Sequence, residues 1–502
     1  MRAVRLGFIA AAVIAAAMPA LAAEKILRVG MGFIPESPNP YRGISLPPAF
    51  PHHAVYDTVT TLDAKGNVAP SLAVAWKMES PESWVFTLRK GVTFSNGEAL
   101  TSETLLVSQQ YMSTPKGRPE TIGSTMYMVD KVEVIDDLTV RVKLNEPDPL
   151  FPLHASAWRV TAPKHWKSTN AEVVGNQPMG IGTGPFVITS WEAGKIVMKA
   201  NRTSWRAPKI DGLEIRELPD EASRLQAFAS GAVNMVLSVA PDERESVEKI
   251  GGTFFPRLTT QVAFIGANTY SRESPLKDKR VRMALNYAVN RDALLKQVLR
   301  DPVPPAAQLN IPGAVGYDPD LKPIPYDPKK AKALLAEAGY PNGFKMEMGV
   351  TPGLRPNDTL YYQQIASDLS KVGVQVELRQ HTQGVQQKDM FAGKLTVEAF
   401  NMITRGNDMI TDYRFRTCLN LTQGRAPFHC EPDITAAAKE AMAEMDPVKR
   451  AGLYKKILKL ESENPPGIFL WQSVEYDALA KGITGYAPAQ DFMNLQTIDI
   501  KN

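Results

Sequence analysis

Residues 56–112 read YDTVTTLDAKGNVAPSLAVAWKMESPESWVFTLRKGVTFSNGEALTSETLLVSQQYM. Val59–Leu62 is predicted as a short strand, followed by a turn at Asp63–Asn67 in which Gly66 can take a positive φ. Ser71–Trp76 reads as a short apolar helical turn. Trp84, Phe86 and Leu88 then alternate with Val85, Thr87 and Arg89, the period of two of a strand with one buried face. Asn96-Gly97 supplies a second turn. Thr101 can cap a helix whose Leu105 and Leu106 face inward. The stretch is a compact strand–turn–strand–helix unit.

Two further blocks stand downstream. The first runs from Pro178 to Val236 and contains GTGPF at 182–186, then Asn201 and Trp205 as N-x-x-x-W. Gly180, Gly182 and Gly184 around Thr183 suggest a phosphate-cradling loop. That reading fails, because no Lys-Ser/Thr follows the glycines and Pro185-Phe186 opens a strand rather than a helix. Asp220 caps a helix that ends at Gly231, and Val233–Val236 is the next strand. The second block is VRMALNYAVNRDALL at 281–295. It lies in a helix expected over Lys279–Leu299 with Asp278 as its cap, and Arg280, Arg282 and Arg291 read as a solvated face. VAFIGANT before it reads as a strand. A further helix, with Asp327 as its cap and Gly339 at its end, follows at 327–339, and helix–strand units follow at 361–378 and 447–471. Strands alternating with helices imply α/β architecture.

The order YD…LD-x-x-G…P-x-LA-x-x-W…W-x-F-x-LR-x-GV-x-F, then GTGPF…N-x-x-x-W, then VRMALNYAVNRDALL resembles the family 5 extracellular solute-binding proteins of ABC importers, the peptide, dipeptide and nickel-type periplasmic binding proteins. The resemblance covers nearly the whole chain. It implies an α/β, two-lobed periplasmic binding protein fold (type II, cluster C-like) with an extra domain. Lobe I would gather 24–57, 168–262 and 482–502. The extra domain would be 58–167, and lobe III 263–481. Two crossing strands, VAFIGANT in one of them, would hinge the lobes.

The resemblance also carries over site residues. Arg355, in TPGLRPND, follows the predicted strand Lys345–Val350 and matches an arginine that binds a peptide carboxylate in dipeptide-type members. Strand-to-helix loops are where α/β folds place ligands, and a guanidinium pairs bidentately with a carboxylate. Asp408, in ITRGNDMITDYRF, stands seven residues before Phe415, the spacing of the aspartate that receives a ligand's α-amino group. The usual D-P-D before that Phe is replaced here by Ile410-Thr411-Asp412, so Asp412 competes for the role. Trp471 and the Pro38–Leu46 loop, with Tyr41, are candidate pocket walls, since such pockets are mostly apolar with few polar anchors. A surface ion pair for Arg355, an Asx turn for Asp408 and core packing for Trp471 are the structural alternatives.

Composition sets the class and the address. The chain has 502 residues, more than one core holds, with 44% hydrophobic and 22% charged residues. Its 57 basic residues are scattered among 53 acidic ones for a net charge of +4, which excludes a nucleic-acid tract. Residues 1–23, MRAVRLGFIAAAVIAAAMPALAA, form a signal peptide: Arg2 and Arg5, an apolar Leu6–Met18, then Ala20-Leu21-Ala22 as the cleavage site. The run is short for a membrane anchor. A periplasmic address follows, and Cys418 and Cys430 are then expected to form a disulfide. None of the six histidines joins a metal-ligand set, and no cofactor is expected. The partners are a small solute, the permease and ATPase subunits of an importer, and no nucleic acid, for a monomeric protein. Two alternatives stay open. The ligand can be an opine, sugar, glutathione or metal chelate. Or Ser113-Thr114-Pro115-Lys116, an S-x-x-K match with Ser168-Thr169-Asn170 as S-x-N, can mark an exported serine acyl transferase or hydrolase, although Pro115 disturbs the turn that motif needs.

Overall fold

Two long antiparallel strands, Thr253–Ala267 and Gly467–Leu479, run side by side through a ten-stranded mixed sheet. This computed structural model describes residues 24–501 except 36, 43–48, 64–65, 169–179, 301–302, 353–356, 382, 406–412, 414–416, 424–425 and 490–491. Named by first residue, the strand order is Val374, Phe344, Ala399, Thr253, Gly467, Met235, Ile26, Gly212, Lys195, Phe186. The two long strands are the seam: parallel α/β units build outward from each side of it.

On one side, Leu27, Val29, Phe186, Ile196, Leu213, Ile215 and Met235 share a core with Met493, Leu495 and Ile498 from the C-terminal tail. On the other, Val281, Leu285, Met346, Met348, Ile365, Leu369, Ile468 and Leu470 share a second core. A separate four-stranded antiparallel sheet is built from Ala73–Ser80, Ser83–Leu88, Thr139–Leu144 and Val129–Asp136 in that order. It packs its Trp84, Phe86, Leu88, Val132, Val140 and Val142 against the helix Ser102–Met112. Trp84, Phe86 and Leu88 of the Ser83–Leu88 strand are buried at the predicted alternate positions. Thr101 and Thr104 form a reciprocal capping box on that helix, and Gly66 and Gly97 take positive φ in their turns.

Three expectations are corrected. Ser71–Trp76 is not helical: Ala73–Ser80 is an edge strand, whose Trp76 and Met78 pair with Phe86 and Trp84. A short apolar run carries no period of its own, and the neighbouring strand decided it. The helix expected over Lys279–Leu299 is broken. Lys279–Ala288 stops, Asn290 caps a new turn by accepting from Ala293 N–H at 3.0 Å, and Leu294–Leu299 continues as a π-helix. The arginines there are not a solvated face either. Arg282 and Arg291 are 1% and 3% exposed. Arg282 donates to Pro465 O, Leu276 O and Lys277 O at 2.7, 2.6 and 2.9 Å. Arg291 donates to Phe469 O, and to Asn286 O and Oδ1 at 2.9 and 2.7 Å. Each satisfies one main-chain carbonyl at or just before the start of the Gly467–Leu479 strand, Pro465 O for Arg282 and Phe469 O for Arg291, and others in the turn and helix beside it. Only Arg280 lies at the surface, paired with Asp278.

Candidate functional site

The seam changes character part-way along. Leu258 pairs with Val474, but the next pair is Val262 with Gln472, so the register slips between them. Side chains replace the missing ladder bonds. Thr259 Oγ1 donates to Ser473 O at 2.7 Å, Gln472 Nε2 donates to Thr259 O at 3.1 Å, and Gln261 N–H donates to Thr259 Oγ1 at 3.2 Å. Before the bulge, Phe254, Tyr476 and Ala478 belong to one core. After it, Ala263, Ile468, Leu470 and Trp471 belong to another. A bulge bends and twists a strand pair, and this one sits where the chain passes between cores.

The segment before the bulge is pinned by charge. Arg257, 2% exposed, pairs with Glu475 and, at 3.0 Å, with Asp477 on the facing strand. Ser238, at φ 59°, donates its N–H to Asp477 and its hydroxyl to Glu475. Tyr486 donates to Asp477 at 2.6 Å. Burial works against the Arg257 charge, but Asp477 and Glu475 outweigh it and raise the guanidinium pKa above its ordinary range.

After the bulge, three strands point the same way. Phe344–Val350 is parallel to Val374–Gln380 and to Ala399–Arg405. Arg405 at the carboxyl end of the last pairs with Gln261 inside the bulge. Of the three, only Ala399–Arg405 runs on to the bulge; Gly349 is level with Phe400 and so with Gly266, and the other two strands end there, at the carboxyl end of a parallel set where α/β folds bind ligands. The first core reaches this end too. Asp242, on a short turn after Val239, lies 4.0 Å from Arg300 and accepts from Asn357 Nδ2 at 3.5 Å. Arg300 and Asn357 are both left-handed, at φ 51° and 59°. With Gln297, Gln363 and Ser367 they line a cavity of about 440 Å³. Glu221, outside that lining, feels its charges: burial raises its carboxyl pKa, Arg224 lowers it, and Asp358 and Asp242 raise it further.

Residues 67–416 match the family described as bacterial extracellular solute-binding proteins, family 5 Middle. The chain belongs to this family. It is 26% identical over 483 residues to di/tripeptide-binding protein 2 of Pseudomonas aeruginosa, covering 88% of this chain and 89% of that protein. It is 26% identical over 454 residues to heme-binding protein A of Haemophilus influenzae, covering 84% and 82%. Its fold is similar to that of the periplasmic binding protein DppA of Helicobacter pylori in complex with the peptide STSA, with a TM-score of 0.84 at 21% identity over 95% of this chain and 99% of that one. The two-lobed type II architecture is thus that of a solute-binding protein.

The signature residues of this family 5 solute-binding protein hold its architecture. Asp57, from the YD pair, is 5% exposed and receives Thr183 Oγ1 at 2.6 Å, Trp205 Nε1 at 2.8 Å and Arg206 Nε at 2.5 Å. Thr183 comes from GTGPF and Trp205 from N-x-x-x-W, so the Pro178–Val236 block closes on a carboxylate of the first block, more than a hundred residues earlier. A Cβ at Gly182 would stand 1.9 Å from Val55 O and one at Gly184 2.7 Å from it, so only glycine fits.

Of the sequence-predicted site residues, Arg355, Asp408 and Asp412 lie outside the described residues. The strands that lead to them, Phe344–Val350 and Ala399–Arg405, are adjacent and parallel. Trp471 is next to the bulge, 4% exposed, with its ring edge-on to Tyr361 at 5.2 Å. Tyr41 is in a different core: fully buried, it packs on Tyr111 and Trp166 and donates to Ser108 Oγ at 3.0 Å. The structure does not bring Tyr41 and Trp471 together. Cys418 and Cys430 form a disulfide with Cα atoms 4.9 Å apart, within the bondable range. Ser113 ends the helix Ser102–Met112 and accepts from Gln109 Nε2 at 2.9 Å, with Pro115 and Lys116 in the turn beyond it. Sequence reasoning passed over Asp242, Arg300, Thr351 and His381. The one available signal was Asn357 before an acidic helix start, since Asn tolerates the left-handed conformation.

Proposed function

We propose that this protein captures a small peptide or similar zwitterionic solute between its lobes and delivers it to the permease and ATPase subunits of an ABC importer. It would act as a monomer in the periplasm, after export and cleavage behind Ala22 or Ala23. Lobe I is assigned to 24–57, 168–262 and 482–502, the extra domain to 58–167 and lobe III to 263–481. Family 5 membership supports the class, and the carboxyl ends of the adjacent parallel strands Phe344–Val350 and Ala399–Arg405 support the location. Arg355 is assigned to the solute's carboxylate, Asp408 or Asp412 to its amine, and Trp471 to the wall. A ligand shifts an open–closed equilibrium only by its differential affinity for the closed form, and charge pairs completed on closure supply that difference. Losing one partner of such a pair costs about 2–5 kcal/mol.

Mass spectrometry of protein isolated from the periplasm identifies the solute, and calorimetry with it tests the anchors. Arg355→Ala and Asp408→Ala are expected to weaken binding at least tenfold while the unliganded melting temperature holds. A co-purified opine, sugar, glutathione or metal chelate overturns the peptide reading. Equal affinity in both variants overturns the anchors.

A further inference from the structure

Two neighbouring polar atoms at the carboxyl end of this sheet pair with nothing. Thr351 Oγ1 and His381 Nε2 are shut off from solvent and have no hydrogen-bond partner. Thr351 follows the Phe344–Val350 strand and His381 follows Val374–Gln380. The His381 main-chain N–H donates to Val350 O at 2.9 Å, which sets the two residues side by side across the parallel pair. The imidazole lies over Gly349: a Cβ there would stand 3.4 Å from His381 Cδ2, 3.5 Å from Gln386 Oε1 and 3.0 Å from Val397 Cγ2. Gly349 and Thr351 are two residues apart in extended chain and so share a face.

Besides the imidazole, the atoms nearest that Cβ position belong to an amide and an isopropyl group. Further back on the same face the charged groups are already matched, Glu347 with Arg379 and Glu398 with Arg272. A buried hydroxyl or ring nitrogen without a partner destabilises the fold, and a native protein keeps such a group where something else claims it. Six residues beyond Thr351, Asn357 touches Asp242 of the opposite core, so this end of the sheet faces the gap between the lobes.

We propose that Thr351 and His381 are a specificity-determining subsite for an uncharged hydrogen-bonding unit of the solute, for which a peptide amide is the fitting class. This deepens the solute-binding reading and rests on it. A hydroxyl both donates and accepts, and a neutral imidazole nitrogen does one or the other; an amide offers one of each. The charged ends of the solute are assigned to Arg355 and to Asp408 or Asp412, and this pair reads what lies between them.

The test uses Thr351→Val and His381→Phe, which keep shape and remove the polar atoms, with Thr351→Ser as the conservative control. Unliganded thermal unfolding is measured first, then calorimetric binding of trialanine. The two apolar variants are expected to melt at or above the parent temperature and to bind trialanine at least fivefold more weakly, with T351S within twofold of the parent. Parent-like affinity in T351V and H381F overturns the proposal. So does a clear loss of unliganded stability in both, since that would mean the atoms had partners. If the parent binds no trialanine, the peptide reading fails. The subsite is then judged on the solute that co-purifies: parent-like occupancy by native mass spectrometry in T351V and H381F overturns it, and reduced occupancy supports it.

Discussion

Asp57 and the Thr351–His381 pair both keep polar atoms away from solvent, and they are opposites. Asp57 receives three donors from one other sequence block, Pro178–Val236, and is fully used by the protein. Thr351 and His381 each turn an unused atom toward one end of a sheet. A buried group whose partners are all protein groups fixes architecture, because removing any partner leaves the rest unpaired in a medium that cannot solvate them. A buried group left over does not help folding, and its use must come from outside. The two places should therefore respond to mutation with opposite signs.

The Arg257 cluster is the strongest test of the satisfied kind. Arg257→Met leaves Glu475 and Asp477 facing each other without a counter-charge, and a broken buried pair costs about 3–5 kcal/mol. Chemical denaturation should show that loss. A stability unchanged from the parent would mean that the seam tolerates repulsion, and the contrast would collapse.

Asp57→Asn is expected to cost less, about 2–3 kcal/mol, because one acceptor oxygen survives while the charge facing Arg206 is lost. Affinity for the solute should stay as in the parent. Weakened binding with intact stability would move Asp57 from the architectural to the functional side.

His52 sharpens the rule by place. Its Nδ1 also lacks a partner, but it lies in the core of the first lobe, with Nε2 3.1 Å from Ser37 O. Burial, then the Arg159 charge, lowers its pKa to about 3, and His53 is depressed in the same direction for the same reasons. An unfolded histidine takes up a proton near pH 6.5. The neutral folded ring therefore stabilises the protein fully above that pH and progressively less as pH falls toward 3, by about 1.4 kcal/mol per pH unit for such a group. Urea midpoints between pH 7 and 5 should fall less steeply in His52→Phe than in the parent. Parallel slopes would show that the ring is already charged when folded.

The smallest effect belongs to Asp242. Its contacts to Arg300 and Asn357 are long and partly exposed, so Asp242→Asn should weaken solute binding by about 0.5 kcal/mol, roughly two- to threefold, without moving the unliganded melting temperature. An effect of tenfold or more would make this contact, rather than the solute, the main support of the closed arrangement.

How much was legible follows from the range of each force. Periodicity in residues 83–88, the Thr101 cap, the Gly66 and Gly97 turns and the Asp278 and Asp327 caps act over a few residues, and each was readable. The YD, GTGPF and N-x-x-x-W residues could be recognised, but their meeting at Asp57 could not, because it joins positions 57, 183, 205 and 206. Ala73–Ser80 became a strand because Ser83–Leu88 offered it a ladder.

The sequence by itself determined the α/β class, the family and the two cysteines available for a disulfide, because local periods, glycine and proline constraints and blocks in fixed order survive without knowing what packs on what. Only the tertiary structure decided that Arg282 and Arg291 are internal donors to stranded carbonyls, and that the register slips between Leu258 and Val262. It alone set Thr351 beside His381, with the hydroxyl and the imidazole Nε2 unpaired. Burial, pairing and the lack of a partner are properties of neighbours in space, and residues dozens to hundreds of positions apart become neighbours only when the chain has folded.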